Sequence, residues 1–129
     1  MKRITTLLAA AALALAVSVP AVLASHGDGT RIVLNATSTF PAAKGSAKFK
    51  STAEERELQV EVEHIRRLAG KRVTFAVAGK TVGTARVNRF GAAEIERNSQ
   101  RGQFVPAVRA GTAVKVKTAA GALIVKGSF

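Results

Sequence analysis

Arg56-Glu57-Leu58-Gln59-Val60-Glu61-Val62-Glu63 alternates without a fault, with Leu58, Val60 and Val62 on one side of an extended chain and Glu57, Gln59, Glu61 and Glu63 on the other. Side chains of a strand alternate between two faces, so this octet predicts a strand with one dry and one wet face. The pattern decides the fold class because it recurs on both sides. Residues 72–77 alternate in the same way, and Ala78-Gly79-Lys80-Thr81 reverses the chain into residues 82–88 as a hairpin. Arg89-Phe90-Gly91 then turns it into residues 92–97, which makes the run from 72 to 97 read as a three-strand meander. Upstream, residues 32–34 and 46–50 are short strands separated by a loop holding Pro41 and Gly45. Downstream, residues 113–118 and 122–127 flank Ala119-Ala120-Gly121 as a final hairpin.

Eight short strands in about 100 residues predict an all-β domain over residues 31–129. The expected form is a single small antiparallel β-sandwich, because no one continuous meander covers all eight strands. The longest connection runs from Asn98 to Gly111, and its Phe104, Val105 and Val108 are expected to fold back as a plug over an open end of the core.

The first 24 residues belong to a different pattern. Lys2 and Arg3, the apolar run from Leu7 to Val19 and the small-residue exit Val22-Leu23-Ala24 form a helical signal peptide, with the mature chain starting at Ser25. Ser18 and Pro20 break the run short of the roughly 20 residues that a membrane span requires. A secreted or periplasmic location follows as the expectation, with residues 25–30 as a flexible mature N-terminus. Eighteen of the 24 leader residues are apolar, so the whole-chain figure of 47% hydrophobic overstates the domain that follows. The leader also carries two of the 20 basic residues, which lowers the net charge from +12 to +10.

Cysteine is absent, so an exported domain of this kind rests on packing and hydrogen bonding alone. Thiol nucleophiles, Cys-ligated zinc and iron–sulfur clusters are excluded with it. Trp and Tyr are also absent, which removes the usual platforms for sugar rings and bases. A hydrolytic triad lacks its parts, since the chain has two histidines, and both His26 and its only aspartate, Asp28, fall in the N-terminal tail. His64 keeps the core-facing parity of Val60 and Val62 and reads as an edge residue of the core. Glu61/Glu63 and Glu94/Glu96 each share a strand face about 7 Å apart, a spacing compatible with glycoside hydrolysis, but the faces read as solvated. No catalytic residue and no cofactor are therefore expected, and no small-molecule substrate is evident. The alternative reading is a metal-handling or enzymatic protein using His26, Asp28 or His64. Cleavage before Ser25 would place His26 second in the mature chain, where its imidazole, the free amine and an amide nitrogen suit Cu(II), with Asp28 adding an oxygen. Asn35-Ala36-Thr37 fits the N-glycosylation pattern.

Charge is the most usable signal. Seven of the eight acids lie between Glu54 and Glu96, where Lys48 and Lys50 are placed to face Glu57 and Glu61 across the hairpin. After Glu96 no acid remains, while Arg97, Arg101, Arg109, Lys115, Lys117 and Lys126 make a basic C-terminal third. These six are the candidate anion-binding residues, for an anionic polymer or cell-envelope surface. Nucleic acid is disfavoured because stacking platforms are missing. The competing account gives the same lysines and arginines to solubility and edge protection.

Gly45-Ser46-Ala47-Lys48-Phe49, then Glu57-Leu58-Gln59-Val60-Glu61-Val62 and, later, Gly91-Ala92-Ala93-Glu94-Ile95 give a pattern that resembles small exported bacterial β-proteins of unknown function. Its first half is similar to the chordin-type repeat domain, in which a Pro-containing loop precedes a Gly-x-Ala-x-Phe strand and a second alternating strand. The resemblance covers residues 35–98, and His64 stands alone where such repeats often carry paired histidines. It implies an all-β fold and transfers no functional residue. The sequence therefore predicts a secreted, non-enzymatic binding or structural module.

Overall fold

The computed structural model describes residues 29–129; the signal peptide, His26 and Asp28 lie outside the described residues. Eight antiparallel strands form the domain: β1 (Thr30–Ala36), β2 (Lys44–Ser51), β3 (Arg56–Glu63), β4 (Arg72–Val77), β5 (Lys80–Arg86), β6 (Ala93–Asn98), β7 (Ala113–Thr118) and β8 (Leu123–Ser128). The expected all-β architecture holds. Single 3-10 turns at Arg66–Leu68 and Ser99–Arg101 are the only helical elements described, and no helix among the described residues is long and apolar enough to cross a membrane.

The strands lie in the order β5-β4-β7-β8-β1-β2-β3-β6. Two halves, β1-β2-β3-β6 and β8-β7-β4-β5, share one hydrophobic core and are joined through β1. Residues Thr30 to Leu34 of β1 pair with β2, whereas Asn35 and Ala36 pair with β8. The sandwich is thus one nearly closed sheet, continuous at β1 and open only where β5 meets β6.

Glycine permits the crossing at β1. Leu34 is only 1% exposed, wedged between Gly45 of β2 and Gly127 of β8. A Cβ would stand 3.0 Å from the Leu34 Cβ at Gly45 and 2.9 Å from the Leu34 Cδ2 at Gly127, so the neighbouring backbones can approach only without side chains there.

Elsewhere alternation places the core as the sequence predicts. Leu58, Val60 and Val62 of β3, Val73, Phe75 and Val77 of β4, and Val114 and Val116 of β7 are fully enclosed. In β8 the alternation fails, since Ile124 and Val125 are both buried. A bulge accounts for it: Val116 pairs with Val125 but Lys117 pairs with Leu123, so Ile124 is an extra residue and it turns inward together with Val125.

The expected meander from 72 to 97 is corrected. β4 and β5 form the hairpin, closed by Ala78 and Gly79 with φ of 55° and 79°, the left-handed pair that a two-residue reversal requires. β6, however, pairs along its length with β3. It lies beside β5 only across the opening, where the Arg97 side chain replaces a backbone ladder. The Arg97 Nε donates to the Val82 carbonyl at 3.0 Å, and Nη1 donates to the Glu96 carbonyl at 2.8 Å.

Connections close the two ends. Phe40, Ala43, Ile65 and Val87 are buried at one end, and Arg67 lies over the Phe40 ring at 4.2 Å while donating to the Thr39 carbonyl. At the other end the long β6–β7 connection behaves as a plug in part: Val105 and Pro106 are buried and Val108 is half-buried. Phe104 is turned out, 55% exposed, with the Lys80 Nζ 5.8 Å from its ring centre. Asn98 anchors this connection by accepting from the Gln100 amide at 2.8 Å and donating to Glu55 Oε2 at 2.6 Å.

Candidate anion-binding face

The fold sorts charge by sheet half. No aspartate or glutamate occurs in β4, β5, β7 or β8, whereas Glu57, Glu61, Glu63, Glu94 and Glu96 all lie on β3 and β6. The sequence shows a basic C-terminal third; the structure shows a cationic half that also recruits the β4–β5 hairpin.

Register brings the cations together. Lys115 and Lys117 alternate with buried Val114 and Val116 and therefore project from the outer face of β7. Lys126 of β8 lies directly opposite Lys115, flanked on its other side by Asn35 of β1. Lys117 is opposite Thr74 of β4, which is opposite Thr84 of β5. One row further along, Arg72 is opposite Arg86. Arg72 Nη1 reaches the Thr84 hydroxyl at 3.5 Å, and Arg86 Nη1 donates to the Gly70 carbonyl at 2.6 Å. Two like-charge pairs, Lys115/Lys126 and Arg72/Arg86, thus sit cross-strand on one exposed face. Like charges directly opposite destabilise a sheet, so folding alone does not favour this arrangement.

Of the six residues expected from the sequence, only Lys115, Lys117 and Lys126 share this face. Arg97 is half-buried at the β5–β6 opening with its guanidinium against Gly83, where it acts as a clasp. Arg101 borders a hollow of about 110 Å³ with Lys48, Lys50, Glu57 and Glu96 on the opposite half of the molecule. Arg109 is exposed in the β6–β7 connection, its amide donating to the Thr112 hydroxyl at 3.0 Å. Sequence reasoning missed Arg72 and Arg86. The reversal at Ala78-Gly79 alone would set Arg72 opposite Ala85. Ala76 pairs with Thr81 but Phe75 with Gly83, and this bulge at Val82 shifts the register by one and brings Arg72 opposite Arg86, a step with no signal in the sequence.

The outer face of β3 and β6 has the opposite character. Glu61 is paired with Ser46 on one side and Glu94 on the other, and Gln59 donates to Glu94 Oε2. The carboxylates expected as two separate strand pairs therefore meet across strands. Partial burial holds the Glu61 carboxyl above its ordinary range, helped by a hydrogen bond with Glu63 and by the negative charges of Glu63 and Glu94, against the pull of Arg31. A raised folded-state value means that the folded chain resists losing this proton, so the contribution of Glu61 to stability is lost as pH rises above the ordinary value of 4.5. Glu61→Gln should therefore be more stable than the parent at neutral pH, with the difference vanishing below 4.5, in urea melts across pH. A gain that persists in acid would show the carboxylate charge to be irrelevant.

Lys50 is directly opposite Glu57 as expected, but Lys48 is opposite Gln59. His64 departs from its expected inward parity. Its φ of 64° turns the chain at the end of β3, leaving the side chain exposed beside Glu63 at 3.9 Å, and Ile65 occupies the core in its place. Among the described residues no group of three His, Cys, Asp or Glu side chains is placed to hold a metal ion. Asn35 is exposed, and Thr37 Oγ1 donates to the Leu123 carbonyl at 2.9 Å. No family model, curated protein or solved structure matches this chain.

Proposed function

We propose that this chain is a secreted or periplasmic, non-enzymatic binding module that holds an anionic polymer of the cell envelope on the outer face of β4, β5, β7 and β8. The observation that carries the reading is the pairing of Lys115 with Lys126 and of Arg72 with Arg86 on a surface whose strands contain no acid. Repulsion built into a register is relieved when an anion lies across it. Solubility alone would be served as well by cations scattered opposite neutral residues.

Binding of this kind has a salt signature, because each cation that meets a polymer charge releases a counterion. With five cations in contact, the logarithm of affinity should fall against the logarithm of salt with a slope of roughly −3.5 to −4.5. Retention of the protein on phosphocellulose, measured across a salt series, checks this. Elution well below physiological salt, or a slope near zero, would overturn the reading.

A further inference from the structure

We infer that the cationic face selects a linear phosphate polymer lying diagonally across the strands, with Lys126 at one end and Arg86 at the other; this rests on the function proposed above. The five cations do not form a cluster. Taking β8, β7, β4 and β5 as successive columns, Lys126 and Lys115 share the first row, Lys117 is one row along on β7, and Arg72 and Arg86 share the next row on β4 and β5. Each step therefore moves across a strand, along one, or both. Strand spacing and the two-residue repeat together make this stripe about 20 Å long. A single phosphate or a compact headgroup touches one end of it at most. An extended chain can touch all of it.

The chemistry along the stripe favours phosphate over other anions. Arg72 and Arg86 present planar donor forks that match phosphate oxygens. Thr74 and Thr84 set hydroxyl donors between these arginines and Lys117. The strands beneath the stripe contain one aromatic residue, Phe75, and it is fully buried, so no ring is available to stack on a sugar. A bilayer is the other phosphate-bearing surface, and it asks for an apolar anchor. The exposed large hydrophobics stand singly on three different elements, Val33 on β1 two residues from Asn35, Phe90 in the β5–β6 connection and Phe104 in the β6–β7 connection beside Lys80, and none is on the four strands that carry the stripe.

Calorimetric titration of the full chain with inorganic tripolyphosphate and with long-chain inorganic polyphosphate tests the assignment, with phosphatidylglycerol vesicles as a third arm. The long chain should bind at least tenfold more tightly per chain than tripolyphosphate after correction for the number of sites on it. Each cation near an anionic surface contributes about fivefold, so Arg72→Gln with Arg86→Gln should weaken the long chain by about 30-fold. The same pair of changes should weaken tripolyphosphate severalfold less than the long chain. Equal corrected affinities for the two polyphosphates, or an unchanged long-chain affinity in the arginine variant, would overturn the diagonal stripe while leaving anion binding intact. Tighter binding to the vesicles than to polyphosphate would replace the linear polymer with a membrane surface. Binding to none of the three would remove the function on which the inference rests.

Discussion

Phe75→Ala should lower the stability of the domain by about 3–5 kcal/mol. Among the described residues Phe75 is the largest fully enclosed side chain, on the middle of β4, where β5 pairs on one side and β7 on the other. Its ring fills the space between the two sheet halves, and neighbours drawn from well-ordered strands can collapse into the void only in part. The cost therefore combines the lost transfer of the ring from water with the cavity left behind. Domains of this size have about 5–15 kcal/mol in total. No cysteine cross-link is available to hold the unfolded chain together, so the variant should be largely unfolded or close to it. Denaturant melts check this, with Phe75→Leu as the milder companion that keeps most of the volume. A loss below about 1 kcal/mol for the alanine variant would mean that the two halves close over the gap and that the core is far more plastic than its packing implies.

Lys126→Glu should move binding and stability in opposite directions. In the native register Lys126 is directly opposite Lys115, so the glutamate converts a repulsive cross-strand pair into an attractive one, for a gain of about 0.2–1 kcal/mol. On the proposed polymer the same change removes one cation and adds one like charge, a loss of about 2 kcal/mol or 30-fold in affinity. Thermal melts and phosphocellulose retention measure the two effects on one sample. If the face serves only solubility, the variant gains stability and binding has nothing to lose. If both fall together, Lys126 is held by a contact that its exposure does not reveal. A more stable protein that binds more weakly identifies a face kept unfavourable for folding because a ligand uses it.

How far the sequence could be read follows from which forces act locally. The run 56–63 was legible because burial on one side of a pleat imposes alternation on every residue, and the same held for 72–77 and 113–118. Ile124 broke the rule because a bulge is a property of two paired strands, and nothing in Leu123-Ile124-Val125 shows the partner. His64 followed the parity of its strand on paper, but the strand ends there and a left-handed residue reverses the direction. Arg97 counted as one more cation, since its role depends on β5 standing across the opening from β6. Arg72 and Arg86 are 14 residues apart in the chain and were passed over for the acid-free C-terminal third, because the bulge at Val82 that sets them opposite each other exists only once β4 and β5 are paired.

By itself, then, the sequence determined the all-β class, the number of strands, most of the inward residues, the absence of cysteine chemistry and an excess of positive charge. All of these depend on composition or on a period of two, which each residue shares with its near neighbours. Only the tertiary structure decided that β6 pairs with β3, that β1 joins the two halves around Leu34, and that five cations from four strands form one stripe. Pairing between distant strands is set by packing of their faces against a common core, and the charges on the outside are carried into position by that packing.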